Sequence, residues 1–357
     1  MNHALPSLNE LTESLCDGVD FSHTLDLNLA GCQLQVKTNS LLVESGLRHY
    51  FAPFVVEPGS TDITVLVIDG PPLELDLPYR PWDPEPGKSR VKEEFAELAG
   101  GRAVRKTKTD MSFFFGGGIN LAVGRAKEND NQVINFVNNR FIERLLNQDC
   151  VLGHAAAVLV KNRGIAFAGF SGMGKSTLAL HLLSQGADFL SNDRLMSRGS
   201  QEGPIMYGVP KLPRINPGTA LSNPDLRPIL SVKEIEEFSH LEPDDLWELE
   251  HKYDVYLDRC FSKTRFVLQG WMDMLVILNW QRSDEPIQVT QVDLNERRDL
   301  LKAFCKSPGA FFLPEDPANP PDLSEERYLK ELERVRVYEI SGGVDFKAAT
   351  EACLKLI

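Results

Sequence analysis

Residues 169–177 read Gly169-Phe-Ser-Gly-Met-Gly174-Lys175-Ser176-Thr177, a match to the pattern GxxxxGK[ST]. Its glycines let successive backbone N–H groups curl around a phosphate without Cβ clashes. Lys175 offers a cation to the β- and γ-phosphates, and the Ser176 hydroxyl is a ligand for magnesium. Just upstream, Ile165-Ala-Phe-Ala168 predicts an apolar strand that runs directly into the loop. Downstream, Thr177 to Gln185 predicts a helix with Leu178 and Leu182 on one face and Gly186 as its stop. The dipole of that helix points at the bound anion. A chance match in a chain this long has a probability of roughly 1%, and the strand–loop–helix context lowers it further. The loop therefore reads as an ATP and Mg2+ site in an α/β domain. Its nucleotide-binding residues are Gly169, Ser171, Gly172, Met173, Gly174, Lys175, Ser176 and Thr177.

Phosphoryl transfer also needs a carboxylate that orients the metal or the nucleophile. Asp193, 18 residues after Lys175, follows the predicted short strand Ala187–Leu190. That strand is expected beside the strand feeding the loop, which would bring Asp193 to the γ-phosphate and make Ser176 and Asp193 the metal ligands. A turn or cap aspartate is the plainer alternative. Asp69 follows a hydrophobic run but precedes Gly-Pro-Pro and reads as a turn residue. Asp273 precedes a predicted strand and takes no role. Lys211 and Arg214 sit in a loop stiffened by Pro210, Pro213 and Pro217, which suits the γ-phosphate or an anionic acceptor, with a solvated surface loop as the alternative. Arg194 reads equally as a site cation or as the partner of a neighbouring carboxylate. Asn139 and Arg140 read as structural, and Trp271 and Trp280 as packing residues around a core strand.

The first 148 residues form a mostly β region. Thr24–Leu29 and Cys32–Val36 alternate apolar and polar residues on either side of an Ala30-Gly31 turn. Ile63–Ile68 is apolar enough to be covered on both faces. Six prolines between 71 and 87 mark a loop. Strands are predicted at 102–109 and 119–126, and a helix at 138–146. Residues 149–357 make the second domain. There His154–Val160 predicts a strand, 222–260 a charged helical stretch with a solvated acidic face, 274–279 and 288–292 strands, and 294–305 a helix. A proline-rich loop over 308–321, a helix, a strand at 335–340 and a terminal helix follow.

The formal net charge of −13 argues against general nucleic-acid binding and against adhesion to anionic membranes, both of which need a basic surface. The N-terminal stretch has no basic region followed by an apolar run, so no signal peptide is read, and no stretch approaches a membrane span. Six scattered cysteines at 16, 32, 150, 260, 305 and 353 lack metal-ligand spacing and suit a reducing compartment. The expected location is the cytoplasm.

These residues together carry a resemblance. His154, followed by GFSGMGKSTLALHLLSQGADFLSNDRL over 169–195, resembles the catalytic core of HPr kinase/phosphorylase. That family has a histidine-bearing strand, a hairpin, a GxSGxGKS loop with its helix, and a strand ending in paired aspartates. The segments Asn135-Phe-Val-Asn-Asn-Arg140, Gly208-Val-Pro-Lys-Leu-Pro-Arg-Ile-Asn-Pro-Gly218 and Leu249-Glu-His-Lys-Tyr-Asp254 resemble the subgroup called HprK-related kinase B. The specific likeness spans about 150–220, and the subgroup likeness most of the chain. It implies an HPr-kinase/PEP-carboxykinase-like fold for the second domain. It also implies a role for His154 near the γ-phosphate, and Asp193 as the second of the paired aspartates. Asn192 stands where the first aspartate is expected, and Thr177 where a glutamate follows the loop serine. Both departures remove negative charge, leave Asp193 as the base, and weigh against the reverse dephosphorylation. The family's long glycine-containing signature for its protein substrate is absent, which points away from HPr as acceptor. HPr kinase is a hexamer, so a homo-oligomer is within what the resemblance implies.

The sequence thus reads as a kinase that transfers the γ-phosphoryl of Mg-ATP to a hydroxyl acceptor, a protein serine or a small metabolite. Asp193, His154, Lys175 and Arg214 are the expected catalytic residues. An ATP-sensing regulatory module or an ATPase switch is the rival.

Overall fold

The computed structural model describes residues 6–84, 90–242, 245, 246, 249 and 251–357. Pro86 of the first proline-rich loop lies outside them, as do residues 243, 244, 247, 248 and 250 of the expected charged stretch. The chain divides into two compact units, Met1–Gln148 with Pro308–Pro321, and Asp149–Ser307 with Asp322–Ile357. Expecting 308–321 to belong with the second domain is therefore a misassignment. Phe311 explains it: its ring packs against Phe113, Phe115 and Phe136 in the first unit.

That first unit is an eight-stranded mixed sheet. Its strands are β1 (His23–Leu29), β2 (Cys32–Thr38), β3 (Ile63–Asp69), β4 (Arg80–Pro81), β5 (Glu93–Leu98), β6 (Gly101–Lys106), β7 (Ser112–Gly116) and β8 (Ile119–Gly124). The order is β1-β2-β3-β8-β7-β6-β5-β4, with β2, β3 and β8 parallel. The β1–β2 hairpin turns on Ala30 and Gly31, both at positive φ, as a two-residue turn matching strand twist requires. Helices α1 (Leu8–Cys16), α2 (Leu41–Tyr50) and α3 (Asp130–Leu146) make the unit less purely β than expected. The third begins eight residues before the predicted start. In β3, Val65 and Val67 are fully buried while Leu66 and Ile68 pack, partly covered, against the α1 side.

Within α3, Arg140 is buried with its charge. Nη1 meets Glu143 Oε1 at 2.8 Å, Nη2 donates to the Phe311 carbonyl, and the guanidinium lies 4.1 Å from the Phe115 ring centroid. Burial pushes its pKa down to about 10 against the pull of Glu143. Arg140 is structural, and it ties the 308–321 excursion to the sheet.

The second unit is built on β17 (Gln269–Leu278). The other strands of its sheet are β9 (Val151–Gly153), β10 (Ala155–Val160), β11 (Arg163–Gly169), β12 (Asp188–Ser191), β13 (Leu195–Arg198), β14 (Ile205–Gly208), β18 (Gln288–Gln291) and β19 (Arg336–Ser341). The C-terminal part of β17 is parallel to β11 on one side and β19 on the other. Its first residues pair with β14, which continues to β13 and β9. Alternate residues of β10, β11 and β17 feed two apolar layers. One lies against α4 (Lys175–Ser184), and the other contains Leu300, Phe304 and Tyr328.

Strand order departs from expectation at one important point. Lys161 and Asn162, both at positive φ, make a two-residue turn that folds β10 back antiparallel to β11. With β10 on one flank of β11 and β17 on the other, β12 pairs with β10 instead. The strand preceding Asp193 is thus not a neighbour of the strand feeding the loop. Asp273 lies inside β17, where it accepts from Gly164 N. The stretch 222–260 is broken by Pro224 and Pro228 into a 3-10 turn and separate short helices. Of the expected helix at 294–305, only Arg298–Leu301 is helical. All six cysteines are free thiols. No helix among the described residues is long and apolar enough to cross a membrane.

Candidate functional site

The loop between β11 and α4 is a tight turn held from below. Gly172 and Gly174 adopt φ of +85° and +79°, values that favour glycine. A Cβ on Gly174 would stand 2.5 Å from Cζ of Phe346. The Phe346 ring is itself fixed edge-on to Trp280 and stacked on His181. Trp280 is buried and donates from Nε1 to the Met173 carbonyl at 3.0 Å, so it braces the loop. Trp271, in contrast, is 41% exposed and packs no core. Lys175 is only 9% exposed and donates to the carbonyls of Gly169 (2.7 Å) and Phe170 (3.3 Å). Burial pushes the Lys175 ammonium down to about pKa 8; Asp193 opposes that shift and Lys306 adds to it.

Two chain crossings bring the polar residues together. His154 is the single residue between β9, which pairs with β13, and β10, which pairs with β11. Asn192, Asp193 and Arg194 connect β12 to β13, the same step made a second time. Ser191 pins this connection, donating to the Arg194 carbonyl at 2.5 Å and accepting from Val209 N at 3.0 Å. Asp193 takes φ +68°, which Asp tolerates better than most residues. As a result His154 Nε2 stands 3.4 Å from Asp193 Oδ1.

Lysines complete the cluster. Lys211 Nζ is 3.6 Å from Asp193 Oδ2, and Lys306 Nζ is 3.8 Å from Oδ1. Burial by itself would raise the Asp193 pKa. The hydrogen bond from His154 and the charges of Lys306, Lys211 and Arg194 outweigh burial and hold the carboxyl well below the usual range. Burial also lowers Lys211; Asp193 opposes this, while Arg194, Lys306 and Arg214 reinforce it. Ser176 does not reach Asp193. Its hydroxyl donates to Asn192 Oδ1 at 2.5 Å, so the residue read only as a lost charge lies directly against the loop serine.

A cleft of about 390 Å³ opens along the loop, lined by Lys175, Ser176, Thr177, Ile215, Thr219 and Phe346 among others. Thr177 Oγ1 lies 3.1 Å from Thr219 Oγ1. Arg214 lines this cleft too and pairs with Asp254 at 3.1 Å, on the short ladder of β15 (Arg214–Ile215) with β16 (Tyr253–Asp254). Arg214 thus has its ion pair away from Asp193, whereas Lys211 of the same loop lies beside that carboxylate. The loop thus borders both a basic cluster around the Asp193 carboxylate and a cleft that Lys175, Ser176 and Thr177 all line.

Sequence reasoning missed Lys306, Trp280, Phe346 and Thr219 as parts of this arrangement, and it read Asn192 only as a lost charge. Lys306 carries no local signal. It arrives because 304–306 pairs with β9, with His154 N donating to Phe304 O and Lys306 N to Leu152 O. Trp280 reads as an ordinary packing residue and Phe346 is not singled out; only contact with the loop distinguishes them.

The chain is similar to the solved structure of the Hpr(Ser) kinase/phosphatase from Coxiella burnetii, at 14% identity over 57% of this chain and 92% of that one, with a TM-score of 0.27. No protein-family model and no curated protein matches it.

Proposed function

We propose that the second unit is an ATP-dependent kinase that transfers the γ-phosphoryl group to a hydroxyl acceptor, a protein serine or a small metabolite. The carrying observation is the Asp193 carboxylate, 3.4 Å from His154 and on the residue after the Asn192 that touches the loop serine. The triphosphate is expected along the loop N–H groups, with its γ end at Lys175 and its nucleoside in the cleft beyond Thr177. The hard oxygen donors Ser176 Oγ, Asn192 Oδ1 and the Asp193 carboxylate suit magnesium, a cation bound by few protein oxygens plus phosphate. Magnesium, when bound, would neutralise charge developing between the β- and γ-phosphates.

In the reaction, the acceptor oxygen forms a bond to Pγ while the bond from Pγ to the β–γ bridging oxygen breaks, leaving ADP. Asp193 orients the acceptor hydroxyl and accepts its proton, which then passes to solvent. A carboxylate held this far below the usual range is a weak base. That is sufficient here, because a loose transition state asks for little charge on the nucleophile until late. His154 keeps Asp193 ionised and oriented, and Lys175 stabilises charge on the transferring group. In this reading Arg214 acts on the cleft side instead of at the reacting phosphorus, the protein works in the cytoplasm, and it groups with the HprK-related kinase B proteins.

The test is incubation with γ-labelled ATP, magnesium and a panel of protein and metabolite acceptors. Label should move to an acceptor, and Asp193→Asn should abolish transfer while nucleotide still binds. Steady release of free phosphate at a rate no acceptor alters would instead establish an ATPase. ATP binding without release or transfer would establish a sensor.

A further inference from the structure

Trp271 stands 41% exposed near the start of β17, far from the phosphate loop. Strand β11 measures the distance. It begins at Arg163, next to the Gly164 that pairs with Met272, and ends at Gly169, roughly 20 Å away at the rise of a strand. A pocket of about 470 Å³ opens at the Trp271 end. Arg163, Pro204, Trp271, Asp273, Arg334 and Arg336 are among its lining residues, all within the second unit. Strand register gathers them there, with Trp271 opposite Ile205 and Arg336 opposite Met274.

Main-chain carbonyls hold all three arginines. Arg163 donates to Ile357 O, Arg334 to Gln201 O, and Arg336 to Leu356 O at 3.0 Å. Their charges are matched unequally. Arg163 Nε lies 3.3 Å from Asp273, which also accepts from Gly164 N. Among the described residues, neither Arg334 nor Arg336 has a carboxylate in ion-pair contact. Glu202, which also lines the pocket, is exposed and without an ion pair of its own. Nη2 of Arg336 is shut off from solvent and has no hydrogen-bond partner, which costs free energy until an acceptor reaches it. A guanidinium fixed through one amino group presents its other N–H groups as a planar fork that matches phosphate or carboxylate. The exposed indole in the same pocket offers a flat face to an aromatic ring.

We propose that this pocket binds a small aromatic oxyanion. Its phosphate or carboxylate group sits on Arg334 and Arg336, and its ring lies against Trp271. The site is independent of the kinase reading, because no residue of the loop or of the Asp193 cluster takes part in it.

The test titrates the whole chain with phenyl phosphate and with benzoate, followed by calorimetry. At least one should bind one to one, and the tighter of the two assigns the charged group. Inorganic phosphate and phenol, which each carry half of the ligand, should bind at least about tenfold more weakly. Trp271→Ala, Arg334→Gln and Arg336→Gln should each weaken the aromatic ligand by about tenfold, as loss of a ring contact or a charge-assisted hydrogen bond does. Unchanged thermal unfolding reports that a variant is folded. Trp271 and Arg334 are exposed and carry the test if Arg336→Gln fails to fold. Saturating magnesium and the non-hydrolysable analogue AMP-PNP should leave the affinity unchanged, since the loop lies at the other end of β11. The proposal is overturned if neither aromatic ligand binds, or if the substitutions leave affinity as it was. Displacement by the analogue would overturn it too, because the ligand would then lie in the loop.

Discussion

The Ser176 hydroxyl donates to Asn192 Oδ1 at 2.5 Å, joining the first turn of α4 to the crossing between β12 and β13. The partner is a neutral amide, so the loop serine faces no carboxylate of its own. Asn192→Asp would add one negative charge beside it without changing side-chain size. The magnesium concentration that half-saturates nucleotide binding should then fall by about threefold to tenfold, since ligand charge tunes divalent affinity. A magnesium titration of fluorescent-nucleotide binding measures this, and an unchanged midpoint would remove Asn192 from the metal's surroundings.

Lys175 should make nucleotide binding pH-dependent. Its pKa falls from 10.5 to about 8 through burial. Between those values the unfolded chain keeps a proton that the folded chain has lost. This group's contribution to folding stability therefore rises with pH across that window. Nucleotide needs the ammonium form, so affinity should be level below about pH 7.5 and decline above pH 8, approaching tenfold per pH unit. Calorimetry at pH 9 in two buffers of different ionisation enthalpy should reveal proton uptake on binding. Lys175→Arg should bind without that uptake, because guanidinium stays charged.

Gly174 is squeezed twice. A side chain there meets both a left-handed backbone, costing roughly 1–2 kcal/mol, and the Phe346 ring 2.5 Å away, costing about 1–3 kcal/mol. Gly174→Ala should therefore destabilise the protein by about 2–5 kcal/mol. Adding Phe346→Leu should recover only the packing part. Urea unfolding of the two variants separates the terms, and full recovery in the double variant would argue against backbone strain.

Arg140 and Glu143 form a buried pair within the first unit. Arg140→Met alone leaves Glu143, whose pKa burial already raises, without its cation. The cost should be about 3–5 kcal/mol. Arg140→Met with Glu143→Leu should cost less than Arg140→Met alone, giving a favourable coupling in a double-mutant cycle. Proteolysis should attack 308–321 faster in the single variant than in wild type, because the Phe311 carbonyl loses its partner on α3. Equal protease rates in all forms would sink the idea that Arg140 holds the segment.

The sequence by itself determined what depends on neighbours along the chain. The loop at 169–177 follows from its glycines, Lys175 and Ser176. The strand before it and the helix after it follow from apolar spacing, and the hairpin at Lys161–Asn162 from its short polar turn. Each is set by local backbone sterics and by which side of one element is apolar. Tertiary structure alone decided who stands beside whom. It paired β12 with β10, because the tight hairpin had already taken the flank of β11. It brought His154 and Asp193 together at two crossings between strands, delivered Lys306 through backbone pairing with β9, and drew 308–321 into the first unit around Phe311. Such contacts close over long stretches of chain, and they are selected by packing and charge in space. No spacing or periodicity in the sequence records them.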